Sequence, residues 1–271
     1  MTTFIANARM YAVTPQAEAS WRELIAHVAA EAGMALDYVP YPAPEPLEDL
    51  WSRPDLGAVQ MCGYPIALRL AEVTPLAAPV PAAAWARGRA LYRSDLIVRA
   101  DSRFRRLADT FGGRVGWTVE HSHSGFNALR HHLLRYRSAE RPKLYREAVG
   151  NLVTARAILD RVLDGSIDVG PLDGYWHALI AKYKPELTAG IRVIESTDLA
   201  PIPAFVAASA LPEEAVERLR TAFAAAASRA WFAPFGEALL IRGFAPVRRA
   251  DFAATMAWHD EAMAANYPLP A

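Results

Sequence analysis

The chain of 271 residues carries one cysteine, Cys62, which excludes an internal disulfide framework and leaves the redox compartment open. No apolar run approaches the ~18 residues that a membrane-spanning helix needs. Charge of either sign is not in excess: 29 basic residues balance 29 acidic ones, so no general field draws the protein to nucleic acid or to an anionic membrane. Any anionic ligand must be caught by local geometry. Linkers, internal repeats and low-complexity tracts are also lacking, as are an H-E-x-x-H pair, a cysteine pair and a G-x-S-x-G elbow. His121, His123, His131 and His132 do not repair that, because the adjacent pair would splay on a helix, so neither a metal nor another cofactor is expected. The opening M-T-T-F-I-A-N-A-R-M-Y has no basic start and no continuous apolar core of a signal peptide. That leaves two expectations, a cytoplasmic protein or a mature exported form with a new start methionine.

What the chain does have is a 53% apolar composition, enough to fill two modest cores, and one stretch that changes character abruptly. Residues 113–119 form a short apolar run of strand type, while Phe126, Leu129 and Leu133 recur at helical spacing. Between them lies H-S-H-S-G from His121. Ser122 and Ser124 suit an N-cap, and Gly125 permits close approach of the backbone to a bound group. A helix N-terminus offers unpaired N–H donors and the positive end of the dipole, so this loop reads as a pocket for phosphate, phosphonate or carboxylate. The plain alternative is an ordinary serine cap. As a catalytic centre the same residues are poor material, because a serine and a histidine two positions apart on a loop seldom aim at one reacting atom.

Taken in order, residues 4–10 read as a first strand ending in Asn7, Arg9 and Tyr11, which line a cleft. A helix follows through Trp21, Leu24, Ile25, Val28 and Ala32, with Pro15 in its first turn and Gly33 at its stop. Strand 35–39, a short helix with Leu47, Leu50 and Trp51, strand 56–61 and helix 66–73 complete a βαβαβα run. Ligands of open α/β sheets sit beyond strand carboxyl ends, which makes Tyr64 a pocket or a packing residue with equal claim. Strand 76–84 continues the sheet, and 90–98 is a long strand able to pass between domains. The second α/β unit adds helix 154–163 and strand 167–172, after which come Asp173, Tyr175 and Trp176. These three are either cleft residues or an N-cap aspartate with core aromatics. Strands 191–195 and 204–208 form a return crossing, and helices 213–226 and 250–264 close the chain. The expected division is 1–92 plus 197–271 for one lobe and 93–196 for the other, an architecture of a hinged binder.

Five stretches carry a family resemblance: L-G-A-V-Q-M-C-G-Y-P from Leu56, Y-R-S-D-L-I-V-R-A-D-S from Tyr92, S-H-S-G-F-N-A-L-R from Ser122, G-S-I-D-V-G-P-L-D-G-Y-W from Gly165, and A-P-I-P-A-F-V from Ala200. In order and spacing they resemble the phosphate, phosphite and phosphonate substrate-binding proteins of ABC transporters. The resemblance implies an α/β, two-lobed type 2 periplasmic-binding-protein fold with two hinge crossings. It implies reversible binding of a small anion in an interlobe cleft, a periplasmic location and transporter membrane subunits as partners, with the protein a monomer that binds no nucleic acid. By position, Ser122, His123, Ser124 and Gly125 hold the anionic head group, Asp173 faces the same cleft, and Tyr64 matches an aromatic of the first lobe. Tyr11, Tyr175 and Trp176 complete the expected set. Several members carry a G-S-H triplet where this chain has Val153, Thr154 and Ala155. The rival expectation is a cytoplasmic biosynthetic enzyme on the same fold, acting on a small anionic or aromatic substrate.

Overall fold

The computed structural model describes residues 3–271. They divide into two compact units: the chain up to Tyr92 joins Pro201–Ala253, and Arg93–Ala200 joins Ala254–Ala271.

The first unit is built on a six-stranded sheet in the order Ile241–Pro246, Val73–Pro81, Ala204–Ala208, Leu56–Met61, Phe4–Asn7, Leu36–Tyr38. The last three run parallel, whereas Ala204–Ala208 and Ile241–Pro246 are antiparallel to their neighbours. Leu56–Met61 is buried along its whole length, which explains its nearly unbroken apolar sequence. Helix Pro15–Glu31 begins at Thr14, whose side chain accepts from the Ala17 N–H at 3.2 Å, and ends before Gly33 at φ +63°. Its buried stripe of Trp21, Leu24, Ile25 and Val28 covers the sheet, with Trp21 edge-on to Phe205 at 5.7 Å and Phe223 stacked on Phe205 at 5.1 Å.

Three local expectations change here. The first strand stops at Asn7, and Arg9–Tyr11 is a 3-10 turn. The helix expected at 66–73 is Gly63–Leu68, because Arg69 sits in the left-handed region at φ 58° and Val73 already starts the next strand. Helix Phe232–Ala238 and strand Ile241–Pro246 have no counterpart among the expected elements. The helix sequence, F-A-P-F-G-E-A, has a proline and a glycine that mask the helical period.

In the second unit Ser94–Arg99 lies between Ile191–Ser196 and Gly170–Asp173, antiparallel to both. Arg114–Gly116 pairs in parallel with Glu147–Val149 and touches the other sheet through a parallel bridge between Val115 and Val169. The long strand expected at 90–98 is interrupted at Arg93, giving Leu91–Tyr92 and Ser94–Arg99. The run expected at 113–119 forms only three residues of strand. The core gathers Leu96, Val115, Trp117, Phe126, Leu129 and Leu133, so the helical face read from the sequence points inward.

The segment 254–271, expected in the first lobe, belongs to this unit. Side chains of one helix bind it: Asn127 Nδ2 donates to the Thr255 carbonyl at 2.8 Å, Arg130 to the Pro268 carbonyl at 3.0 Å, and His131 stacks on Trp258 at 4.7 Å. None of these contacts has a local sequence signature, since each joins residues more than a hundred positions apart.

Candidate functional site

Three strands of the second unit run in one direction, so the loops leaving Gly116, Val149 and Asp173 emerge at one rim. A carboxyl-end rim of parallel strands is where α/β folds place ligands. The loop after Gly116 returns as a helical segment starting at His123, and its first turn is a π-helix, His123–Asn127, closed by Asn127 N–H to the Ser122 carbonyl at 3.0 Å. It continues as an α-helix, Ala128–Leu133. Such π-turns are wider than an α-turn and recur at functional sites.

Ser122 is the N-cap, with Oγ accepting from the Gly125 N–H at 3.0 Å. Its acceptor role is therefore spent on the fold. Ser124 differs. Its carbonyl accepts from Ser94 Oγ at 2.8 Å, but neither its N–H nor its Oγ has a hydrogen-bond partner among the described residues, and the residue is half-buried. Gly125 permits a close approach, and the partner in this structure is Thr118: a Cβ added at Gly125 would lie 2.0 Å from Thr118 Oγ1. The turn is thus pressed against its own strand.

His123 is 1% exposed and faces inward, with Nδ1 3.3 Å from Asn127 Nδ2 and the ring stacked on Trp258 at 5.1 Å. Burial, helped by the charge of His131, pushes its pKa down to about 3, so it is neutral at ordinary pH.

Ser94 also connects this turn to the acidic end of the expected set, because it stands in register with Asp173. Asp173 closes its strand and caps helix Gly174–Tyr183, its Oδ1 accepting from the N–H groups of Tyr175 at 2.9 Å and Trp176 at 3.0 Å. Tyr175 and Trp176 are both buried, and burial followed by the Asp173 charge raises the Tyr175 phenol well above its ordinary pKa. Ser122, Ser124, Gly125 and Asp173 are therefore brought to one rim. His123 lies inside the unit, and Tyr175 and Trp176 form the first turn of the capped helix. Tyr11 and Tyr64 belong to the other unit, where Tyr11 ends a 3-10 turn and Tyr64 opens a short helix, both buried.

One polar group beside this rim escaped sequence reasoning. Asp95 is buried and receives Ser196 Oγ at 2.8 Å, His177 Nδ1 at 2.9 Å and Arg93 Nε at 3.0 Å. Burial alone would raise its pKa, yet the hydrogen bonds from His177 and Ser196 and the nearby guanidinium hold it below the ordinary carboxylate value. Arg93 belongs to the same Y-R-S-D stretch, but His177 and Ser196 lie 82 and 101 positions away. Among the described residues no group of three or more histidine, cysteine and acidic side chains is placed to hold a metal, and no helix is long and apolar enough to cross a membrane.

The family model for the periplasmic substrate-binding protein of phosphonate ABC transporters matches residues 12–252. The chain belongs to this family. Its role is accordingly to bind a solute for ABC transport. Among solved structures it is similar to a binding protein component of an ABC phosphonate transporter, PA3383, from Pseudomonas aeruginosa, with a TM-score of 0.81, 15% identity and 97% and 87% of the two chains covered. It is also similar to PhnD1 from Prochlorococcus marinus in complex with methylphosphonate, with a TM-score of 0.77, 13% identity and 96% and 98% coverage. Rpa4515 from R. palustris with adipate shares the fold at a TM-score of 0.65, with 12% identity and 97% and 96% coverage. No curated protein matches the sequence. At these identities the structural likeness concerns the fold alone.

Proposed function

We propose that this member of the family binds a small anion, a phosphonate, phosphate or carboxylate, through Ser124 and the start of the helical segment at His123. The observation that carries the reading is the pair of unused donors on Ser124, N–H and Oγ–H, at the positive end of that segment. Ser122 and Ser94 act as positioning residues, one shaping the turn through Gly125 N–H and the other fixing the Ser124 carbonyl. Asp173 stands in register with Ser94, whose hydroxyl holds the Ser124 carbonyl. Its carboxylate repels an anion at close range, so it faces the part of the ligand remote from the charged head, where it accepts from a hydroxyl or amine.

Tyr11 and Tyr64, expected as ligand residues from the chain order, are buried within the first unit. The family setting supports a periplasmic location and membrane subunits of an ABC transporter as partners, and in this reading the binding protein itself is a monomer. Mass spectrometry of small molecules released from the purified protein identifies the ligand without a prior guess. Calorimetry with inorganic phosphate and methylphosphonate on the parent and Ser124→Ala then tests the site. A chemically altered product recovered after incubation would overturn binding without chemistry.

A further inference from the structure

The neutrality of the whole chain hides an uneven distribution of charge. Residues 93–146 hold 12 of the 29 basic residues and 5 of the 29 acidic ones, a net of +7, so the rest of the chain carries −7. Most of this excess is displayed on two loops of the second unit, 99–113 and 137–146, which lead into the strands Arg114–Gly116 and Glu147–Val149. Those strands run in parallel from the basic loops toward the serine rim. The basic loops therefore lie at the end of the unit opposite to Ser124.

Hydrogen bonds stitch the two loops into one ordered shelf. Gly112 N–H donates to the Leu144 carbonyl at 2.7 Å and Arg146 N–H to the Gly113 carbonyl at 3.1 Å. Asp109 Oδ2 accepts from the N–H groups of Arg105 at 2.9 Å and Arg106 at 3.0 Å, and the Arg192 guanidinium clasps the carbonyls of Ala100 and Phe104, both at 2.6 Å. Phe104 and Phe111, half-buried against the core of the unit, carry the guanidinium groups of Arg103 and Arg141 at 5.9 Å and 6.0 Å from their ring centroids. Two acids of the shelf are cancelled locally, Asp101 by Arg99 at 2.7 Å and Asp109 by Arg106 at 3.4 Å. Arg103, Arg105, Arg141, Lys143 and Arg146 are exposed and have no carboxylate at ion-pair distance among the described residues; Glu140 and Glu147 are the acids that remain beside them.

We propose that this shelf is a docking surface for an anionic lipid bilayer. An interface with another protein is centred on desolvated apolar or aromatic anchors, and the exposed large apolar side chains, Leu70, Val153, Val193, Met263 and Leu269, all lie outside these loops. Long cationic side chains spread over an ordered backbone suit phosphate head groups spread over a plane, where each basic residue multiplies partitioning by roughly fivefold. Without an apolar anchor the association is electrostatic and is reversed by salt. The periplasmic setting proposed above puts a bilayer within reach, and a shelf laid on it directs the serine rim away from the lipid. The surface is thus independent of the reading of Ser124 and leaves that site open.

The test is co-sedimentation of the full chain with vesicles of phosphatidylcholine alone and of phosphatidylcholine mixed with phosphatidylglycerol, at low salt and at about 0.5 M salt, where the Debye length shrinks to about 4 Å. The parent is compared with Arg103→Gln/Lys143→Gln/Arg146→Gln and with a control that removes the same charge from the first unit, Arg22→Gln/Arg89→Gln/Arg242→Gln. Thermal unfolding confirms that each is folded. The parent is expected to bind only the mixed vesicles and to be released by salt, the shelf variant to partition at least about tenfold more weakly, and the control to stay within about threefold of the parent. No binding of the parent to mixed vesicles, equal binding to both kinds of vesicle, or equal losses in the two variants overturns the proposal. Binding of the parent to a DNA duplex as tightly as to mixed vesicles overturns it too, by making the shelf a general polyanion site.

Discussion

At the residue scale the decisive contrast is between two serines two positions apart. Ser122 Oγ is committed to the Gly125 N–H, so its loss is a loss of helix capping, about 0.5–2 kcal/mol of stability. Ser124 donates nothing within the described residues. Ser124→Ala should therefore leave the unfolding midpoint within about 0.5 kcal/mol of the parent and still weaken anion binding by about 1.5–3 kcal/mol, roughly tenfold to over a hundredfold in calorimetric Kd. Asp173 gives the opposite pattern. Asp173→Ala removes a cap from Gly174–Tyr183 and should lower urea stability, while Asp173→Asn, itself a good cap, should retain most of it.

His123 supplies a pH signature. Its folded-state pKa of about 3 lies below the unfolded value of 6.5, so the unfolded chain takes up the proton first as pH falls. The stabilisation is complete above about pH 6.5 and is lost progressively toward pH 3. Urea midpoints of the parent and His123→Gln, measured from pH 7 to pH 4, should converge as the pH drops. A constant difference between them would show that His123 does not titrate in the fold as its burial requires.

At the element scale the π-turn is held by its contact with the strand behind it. An alanine at 125 would place Cβ 2.0 Å from Thr118 Oγ1 and 2.9 Å from its Cβ and Cγ2, and the turn has no room to retreat without losing the Ser122 cap. Gly125→Ala is expected to cost about 1–3 kcal/mol, the usual range for overpacking, and to weaken anion binding because Ser124 moves with the turn. Adding Thr118→Ala removes the two nearest γ atoms and should recover part of both losses in the same measurements. The helix behind the turn has a second obligation. Through Asn127, Arg130 and His131 it secures 254–271, and Tyr267 from that segment enters the core with Leu133 and Trp117. Truncation after Ala253 should consequently expose the second unit to limited proteolysis while the sheet containing Leu56–Met61 stays protected, as hydrogen exchange would report.

At the scale of the whole molecule, a ligand that binds only the folded chain stabilises it by mass action, by about 2.7 kcal/mol at a hundred times Kd. Tm should rise with the concentration of any anion that calorimetry finds to bind, and at equal concentration the rise should be smaller in Ser124→Ala. Sequence alone determined much of this molecule. Periodicity located helix Pro15–Glu31, strands Leu56–Met61 and Ala204–Ala208, and the inward face of Phe126, Leu129 and Leu133, because those patterns are local consequences of one buried face. The motif order pointed to the family, and composition argued against a membrane span, a disulfide framework and electrostatic attraction to nucleic acid. Tertiary structure decided what local patterns do not encode. It determined that Ser122 is consumed as a cap while Ser124 is left with donors, that His123 turns into the core, and that Asp95 collects Arg93, His177 and Ser196. It also placed 254–271 in the second unit. The Ser122 cap and the Arg93–Asp95 pair are local, within three residues; for the rest the physical reason is a hydrogen-bond partner or a packing neighbour brought from a distant part of the chain, a meeting of which spacing along the sequence carries no record.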